Sequence, residues 1–330
     1  MKAFVTGADG LLGGNLVRML LDRGLEVTAF VHPASRSRTL DELDINRAKG
    51  DILDEKSVEN AMSGNDFVFH VAASTALWPP RDKKITAINV EGTRNVVKAV
   101  ERNSVKKLIH VGSASSFGYG TKERPGNEET PYAYRGFGLA YFDSKLEAQS
   151  HVLKCVRENG LNAVVVAPTF MIGPYDSGPS SGKMIAKYAE MKLPFYPSGG
   201  RNFVHVRDAA AGMISAVENG KAGECYILGN RNMDMKEFFT EVARVAGFKP
   251  PIFQIPREIM LVSGLAGSIF GAATGKQPEI TLEMARSSSI GCYYSAAKAV
   301  CELNMPQTPV EIAVEDAYKW LKDNGCINRA

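Results

Sequence analysis

The chain opens with apolar Ala3-Phe4-Val5, breaks at Gly7-Ala8-Asp9-Gly10, and resumes apolar positions at Leu11, Leu12, Leu16, Val17 and Leu20. A short apolar run ending in glycines reads as a buried strand, and the 3.6-residue spacing after it reads as a helix. That helix extends to about Arg23, with Gly24 as its stop. The alternation then repeats. Glu26–Val31, a segment ending at Gly50-Asp51-Ile52, Phe67–Val71, Lys107–Val111 and Asn162–Val166 read as strands. Ser57–Met62, Ile88–Arg102 and Tyr141–Glu158 carry helical spacing. This rhythm predicts an α/β fold with a doubly wound parallel sheet. Right-handed crossovers then place ligands at the carboxyl ends of the strands. After Pro168 the pattern changes. Residues 173–202 are rich in proline, glycine and serine, Phe203–Val206 and Cys225–Leu228 read as short strands, and 208–217 as a helix. From Met233 the chain is mostly helical, ending in Val310–Asp323. The expected division is a larger unit of 1–167 with 203–223, and a smaller unit of 168–202 with 224–330. No internal repeat or low-complexity tract interrupts it.

One apolar stretch stands out. Ile259 to Thr274 carries no charge and contains Leu261, Val262, Leu265, Ile269 and Phe270. A spanning helix needs about 20 apolar residues, so the stretch is short for one, and its glycines weaken that reading further. The expectation is a helix packed on the protein, roofing a pocket, rather than one lying in a membrane interface.

Composition narrows the classes. The 330 residues carry 39 basic and 36 acidic side chains, for a net charge of +3. That balance gives no footing to nucleic acid or to an anionic surface at the level of the whole chain. The five cysteines, Cys155, Cys225, Cys292, Cys301 and Cys326, are scattered and form no C-x-x-C pair. They read as reduced thiols, and histidines and carboxylates do not cluster at metal-ligand spacing. Met1-Lys2 leads directly into the first strand, and the expectation is a cytoplasmic protein without a leader.

Three groups carry candidate chemistry. In Thr6-Gly7-Ala8-Asp9-Gly10-Leu11-Leu12-Gly13, Gly7 allows a tight turn, Gly10 lets a pyrophosphate approach the backbone, and Gly13 lets the helix pack on the strand. The helix start at Leu11 and Leu12 offers N–H groups and a positive dipole end to phosphates. Tyr141 and Lys145 lie four apart on a helix and so share one face. A nearby ammonium favours the phenolate and brings the tyrosine toward use as an acid or base near neutrality. Ser113, with Ser115 as its rival, sits just past a strand end that faces the same crevice, where a hydroxyl can hydrogen-bond a carbonyl.

Together with Gly50-Asp51-Ile52, His70-Val71-Ala72-Ala73, Asn89-Val90-Glu91-Gly92-Thr93, Pro168-Thr169, Gly173-Pro174 and Phe203-Val204-His205-Val206-Arg207-Asp208, these motifs make the chain resemble an extended short-chain dehydrogenase/reductase over almost its full length. Within that family it is most similar to the dihydroflavonol-4-reductase-like group, which includes proteins labelled hopanoid-associated sugar epimerases. The resemblance implies a Rossmann domain with a smaller C-terminal substrate domain. It implies Tyr141 as proton donor, Ser113 as carbonyl anchor, Asn89 as support for the active-site helix, and Lys145 as a further hold on the nicotinamide ribose. By the same resemblance Asp51 and Ile52 contact the adenine, Ala72 and Ala73 lie along the cofactor, and Pro168 and Thr169, followed by Phe170, flank the nicotinamide. It also makes a homodimer plausible, built on helices at about 86–103 and 141–158. Fold-level likeness does not name the substrate.

The second strand runs into His32-Pro33-Ala34-Ser35-Arg36-Ser37-Arg38, with no carboxylate before Asp41. An acid there would bond a ribose 2′-hydroxyl, whereas Arg36, Arg38 and Ser35 suit a 2′-phosphate. NADP(H) is therefore expected over NAD(H), with His32 at the cofactor's edge. Three activities remain open: carbonyl reduction, nucleotide-sugar epimerisation or dehydration, and a non-catalytic cofactor sensor. Trp78, Tyr134, Phe137, Phe170, Met171, Tyr175 and Tyr196 are aromatic or apolar wall candidates and suit a hydrophobic small-molecule carbonyl or alcohol. Arg201 is the contrary sign, matching an arginine that grips the diphosphate in sugar-nucleotide relatives.

Overall fold

In a computed structural model, which describes residues 1–178 and 180–327, the first half of the chain alternates as its pattern demands. The elements run β1 (Lys2–Thr6), α1 (Leu11–Asp22), β2 (Glu26–Val31), β3 (Asn46–Lys49), α2 (Glu55–Met62), β4 (Phe67–His70), α3 (Lys83–Thr86), α4 (Gly92–Arg102), β5 (Lys107–Val111), α5 (Ala140–Asn159) and β6 (Ala163–Pro168). Caps explain several starts. The Asp54 side chain accepts from the Lys56 and Ser57 N–H groups at the head of α2, and the α5 chain stops at Gly160 in the left-handed region, with φ of 69°.

These strands and one later arrival, β10 (Cys225–Leu228), form a seven-stranded sheet in the order β10-β6-β5-β4-β1-β2-β3. Every pairing within it is parallel. Both faces are covered, as a parallel sheet requires. Leu16, Val17 and Leu20 of α1 pack on one face with Ala209, Ala210 and Met213 of α7 (Val206–Glu218). Val58, Val96, Val97 and Val152 pack on the other. The strand order reverses between β1 and β4. The crevice beyond their carboxyl ends is thus the expected ligand position.

The rest of the chain builds a second layer. It comprises β7 (Phe170–Ile172), α6 (Gly182–Met191), β8 (Phe195–Pro197), β9 (Gly200–His205), β11 (Arg231–Asp234), α8 (Met235–Ala246), β12 (Phe253–Ile255), α9 (Arg257–Thr274), α10 (Leu282–Ser288), β13 (Gly291–Cys292), α11 (Ala297–Leu303) and α12 (Val310–Asp323). Strand β9 pairs with β11, β13 and β7 in a four-stranded sheet, and β12 pairs with β8. A separate core fills this region around Phe203 and Phe238, whose rings stack at 4.4 Å.

Two strands sit differently from the division expected from sequence. Residues 203–205 belong to β9 of the small sheet, although the helix following them packs on the large one. Cys225–Leu228 closes the edge of the large sheet against β6. Strands of four to six residues give no sequence signal about which sheet they join.

Helix α9 departs further from expectation. It forms over the charge-free stretch, but it buries only Met260, Gly264 and Gly271. Ile259, Val262, Leu265, Ile269 and Phe270 point outward. The reason is steric: a Cβ on Gly264 would sit 2.7 Å from the Thr281 carbonyl oxygen, and one on Gly267 would overlap that of Ile280. The glycine side is the one that can approach α10. Among the described residues no helix is long and apolar enough to cross a membrane.

Candidate active site

The switch point holds the glycine loop. Gly7 adopts φ of +62°, and a Cβ there would lie 2.7 Å from Ala72 Cα, so the loop after β1 rests directly on the loop after β4. A Cβ on Gly13 would overlap the Gly7 carbonyl oxygen, whereas one on Gly10 would meet only that oxygen, at 3.5 Å. The space above Gly10 is thus left open. Helix α1 starts at Leu11 with Gly10 as its cap, no side-chain cap bond and no acidic residue in its first turn. A phosphate approaching Gly10 meets backbone N–H groups and the positive end of the helix. A dinucleotide pyrophosphate fits this cradle.

Thr6 ties the cradle together. Its hydroxyl oxygen accepts from Val71 N and Ala72 N, each at 3.1 Å, and pairs with His70 Nδ1 at 2.9 Å. His70 Nε2 lies 3.0 Å from the Thr93 hydroxyl, which donates to the Asn89 carbonyl at 2.6 Å. Burial pushes the His70 imidazole down to about 3, with the Lys145 charge adding to the effect. The ring is therefore neutral and serves as a spacer between β1, β4 and α4.

Tyr141 and Lys145 stand on α5, facing the end of β5. The Tyr141 hydroxyl donates to Ser113 Oγ at 3.4 Å, and Ser113 Oγ lies 2.8 Å from Ser115 Oγ. Of the two serines, Ser113 is the one beside the phenol. Lys145 is buried and donates to the Val111 carbonyl at 2.6 Å. Desolvation pulls its ammonium down to about 8. The Tyr141 phenol moves opposite to the sequence expectation: burial raises it, and the Ser113 hydrogen bond only partly offsets this. Burial of the phenol outweighs any help from the ammonium, whose hydrogen bond goes to the backbone.

Asn89 sits in a wide π turn, Ala87–Glu91. Its amide donates to Ser144 Oγ at 2.9 Å and to the Ser74 carbonyl at 3.1 Å, and its Oδ1 accepts from Ser74 N at 2.7 Å. Ser144 in turn donates to the Tyr141 carbonyl at 3.0 Å. Asn89 therefore clips the loop after β4 to the helix that carries Tyr141 and Lys145. It is a positioning residue.

A cleft of about 170 Å³ opens over Ser113 and Tyr141. Of the residues expected there, it gathers Ser113, Ser115, Tyr134, Tyr141, Pro168, Thr169, Phe170 and Arg201. It adds Phe142, Asn202, Cys292 and Tyr294, which the sequence reading missed. Phe142 was within reach of that reading as the neighbour of Tyr141. Cys292 and Tyr294 were not, because only the pairing of β13 with β9 and the bridge between Gly126 and Tyr294 bring them in. The Tyr134 and Tyr294 hydroxyls lie 2.5 Å apart, and burial raises both phenols.

Other expected wall residues stand elsewhere. Tyr175 stacks under the Arg18 guanidinium at 3.7 Å and faces Trp320. Met171 packs against the large-sheet core and Tyr196 against the second one. Trp78 lies against Gly271 of α9, and Phe137 packs behind Tyr134. Arg201 reaches the cleft, but its guanidinium donates to the carbonyls of Gly200, Ile290 and Ser287 at 2.7–3.0 Å. It pins β9 to the end of α10.

Beyond the end of β3, where the resemblance expects the adenine, Ile52 is buried against Gly92 and its carbonyl accepts from Asn95 at 3.1 Å. Asp51 accepts from Leu53 N at 2.9 Å and lies 3.9 Å from His32 Nε2. Arg36 and Arg38 are exposed. The glycine loop supplies a carboxylate that the sequence reading overlooked: Asp9 accepts a short hydrogen bond from Ser35 Oγ. Its distance in sequence from the second strand concealed it.

The family model for the NAD dependent epimerase/dehydratase family matches residues 3–229. A putative dihydroflavonol 4-reductase of Synechocystis sp. is 31% identical over 98% of this chain and 95% of its own length. A sterol demethylase protein B of Methylococcus capsulatus is 29% identical over 99% of this chain and all of its own. The crystal structure of gox2253 superposes with a TM-score of 0.86 at 34% identity, covering 99% of both chains. The fold and site define an NAD(P)-dependent oxidoreductase of the extended short-chain dehydrogenase/reductase type. The chain belongs to the NAD dependent epimerase/dehydratase family.

Proposed function

We propose that this protein is an NADP(H)-dependent reductase of a small, hydrophobic ketone or aldehyde, with Ser113, Tyr141 and Lys145 as its working residues. The observation that carries this reading is the Tyr141–Ser113 contact at 3.4 Å in a cleft whose wall includes Tyr134, Phe142, Pro168, Phe170 and Tyr294 beside polar Ser115, Thr169, Arg201, Asn202 and Ser287. The glycine loop would hold a nicotinamide dinucleotide, which when bound would supply the hydride to the carbonyl carbon. Ser113 donates a hydrogen bond to the substrate oxygen, stabilising the charge that grows there. Tyr141 gives that oxygen its proton. A phenol raised by burial stays protonated at neutral pH, which favours the direction in which it acts as an acid. Lys145 keeps a positive charge beneath the site below pH of about 8 and anchors α5 to β5. The aromatic wall selects apolar bodies. The Synechocystis relative's name, a 4-reductase, supports this class.

The preference for NADP(H) rests on Arg36, Arg38 and Ser35, which offer donors for a 2′-phosphate. Asp9 opposes it. To bind the phosphate, Ser35 must turn from Asp9 to the ligand, and the carboxylate then stands near a like charge. Epimerisation of a nucleotide sugar is the second reading, favoured by the entry of Arg201 into the cleft. Its guanidinium is already committed to three backbone carbonyls, which weakens that reading.

The test is cofactor state followed by turnover. Nucleotide is extracted from the purified protein, the apo-protein is titrated with NADPH and NADH, and a panel of aromatic and aliphatic ketones is assayed with the tighter one. Exchangeable cofactor with NADPH preference and ketone turnover supports the reductase. NAD retained through purification, with activity only on nucleotide sugars, overturns it.

A further inference from the structure

We propose that the outward face of α9 docks on an anionic lipid surface. The inference is independent of the catalytic reading. Helix α9 reverses the arrangement of a helix in a water-soluble protein, in which bulk faces the core and polar groups face water. Its inward side is made of Gly264, Gly267 and Gly271, closed onto α10, Pro278 and Trp78. Its outward side carries Ile259, Val262, Leu265, Ile269 and Phe270, with Val262 68% and Ile269 63% exposed. At 100° per residue these five, with Ala266 and Ala273, fall within one apolar stripe. The chain entering the helix continues the exposure through Ile252 and Phe253. A contiguous patch of this kind is rare on a surface that meets only water.

Charge selects the occupant. No Asp, Glu, Lys or Arg lies between Glu258 and Lys276. The rim is basic: Lys249 precedes the helix, Arg257 opens it and Lys276 follows it, all three exposed. Lys83 and Lys84 are exposed on α3, beyond the Trp78 loop that touches Gly271. Of the acids nearby, Glu279 is held by Lys187, and Glu258 marks the N-terminal end of the stripe, in the first turn where the helix dipole favours it. An uncharged apolar face inside a cationic rim complements acyl chains beneath anionic headgroups. Apart from Phe270 the stripe is aliphatic, and it lacks the Tyr, Trp, Arg and Met that join Phe at the centres of protein interfaces. Helix α9 is too short and too lightly apolar to span, so it would lie in the headgroup plane. Because Arg201 binds the Ser287 carbonyl at the end of α10, the docked helix would stand one layer from the cleft.

The experiment is co-sedimentation of the full chain with phosphatidylcholine vesicles, with and without phosphatidylglycerol. The wild type is expected to pellet with the anionic vesicles and little with the neutral ones. A Val262→Glu/Ile269→Glu variant is expected to lose partitioning by about tenfold or more. The milder Ile269→Ser is expected to lose less, and Arg257→Gln/Lys276→Gln to lose the dependence on phosphatidylglycerol. Circular dichroism and dinucleotide binding confirm that each variant folds. Failure of the wild type to pellet with either vesicle overturns the proposal, as does equal pelleting of Val262→Glu/Ile269→Glu. Light scattering that shows a dimer which this variant dissociates, without vesicle binding, assigns the face to a second copy and overturns it too.

Discussion

The two sides of the cleft are built by different rules. On the side of the glycine loop each candidate residue follows its own strand within a few positions: Gly7 after β1, Ala72 after β4, Ser113 after β5, Pro168 at the end of β6. Parallel strands in register deliver these ends to one line, and local sequence suffices to find them. On the substrate side Arg201, Ser287, Cys292 and Tyr294 arrive from separate elements and meet only through β9, β13 and α10. The difference teaches that residues at strand ends can be found from local sequence, while the far wall of the cleft depends on the long-range path of the chain.

The sharpest way to break the comparison is to exchange one phenol on each side. Tyr141→Phe is expected to lower kcat by about 10²–10⁴-fold while leaving dinucleotide affinity nearly intact, measured by turnover and by fluorescence titration. Tyr294→Phe is expected to keep kcat within a few-fold. It should cost about 1 kcal/mol of stability, because the buried Tyr134 hydroxyl loses its partner, and this is read by denaturant unfolding. Equal losses of kcat would move the proton donor to the far wall.

A second contrast lies in pH. The His70 pKa is about 3 in the folded chain against 6.5 unfolded. Below the unfolded value the unfolded chain takes up a proton that the folded one refuses. The stability held above pH 6.5 is therefore lost as pH falls toward 3. Urea midpoints between pH 7 and 4 should fall for the wild type. The slope should be visibly smaller in His70→Asn, and an unchanged slope would remove His70 as the source. Lys145 acts with the same sign at the alkaline end: its folded value near 8 lies below the ordinary 10.5, so the desolvation penalty of its charge fades and stability rises as pH rises through that window.

Asn89→Ala sharpens the positioning argument. Loss of the clip to Ser74 and Ser144 should lower kcat more than it raises KM, and Asn89→Asp should recover part of it through the bond from Ser74 N. A purely structural role would lower the melting temperature and leave kcat per folded enzyme unchanged. An effect on binding rather than on turnover is expected at Arg36. Arg36→Ala should weaken NADPH by about tenfold and NADH little, in line with about 1.5–3 kcal/mol for a hydrogen bond to a charged group. Equal weakening of both would remove the phosphate argument.

Much of this was legible in the chain. The glycine loop, the sheet and the Tyr141–Lys145 helix follow from spacing, because a strand end and one helix face are local objects. The direction of the Tyr141 shift was not, since burial is set by everything packed above it. Tyr175 and Met171 read as wall residues from their place after β6, yet the chain turns them toward Arg18 and the large-sheet core. Asp9 escaped because its partner Ser35 lies on another turn. Helix α9 was found by its lack of charge, but its glycines, not its bulk, decided which side faces inward.

The position of β10 has a consequence during synthesis. A chain emerging from the ribosome finishes β1–β6 by Pro168, but the outer edge of β6 stays unpaired until Cys225–Leu228 follows. The glycine loop and the ends of β4, β5 and β6 are then synthesised in a chain that still lacks Ser287, Cys292 and Tyr294. The strand-end residues of the cleft are thus made before its far wall, which waits for Arg201, Ser287, Cys292 and Tyr294.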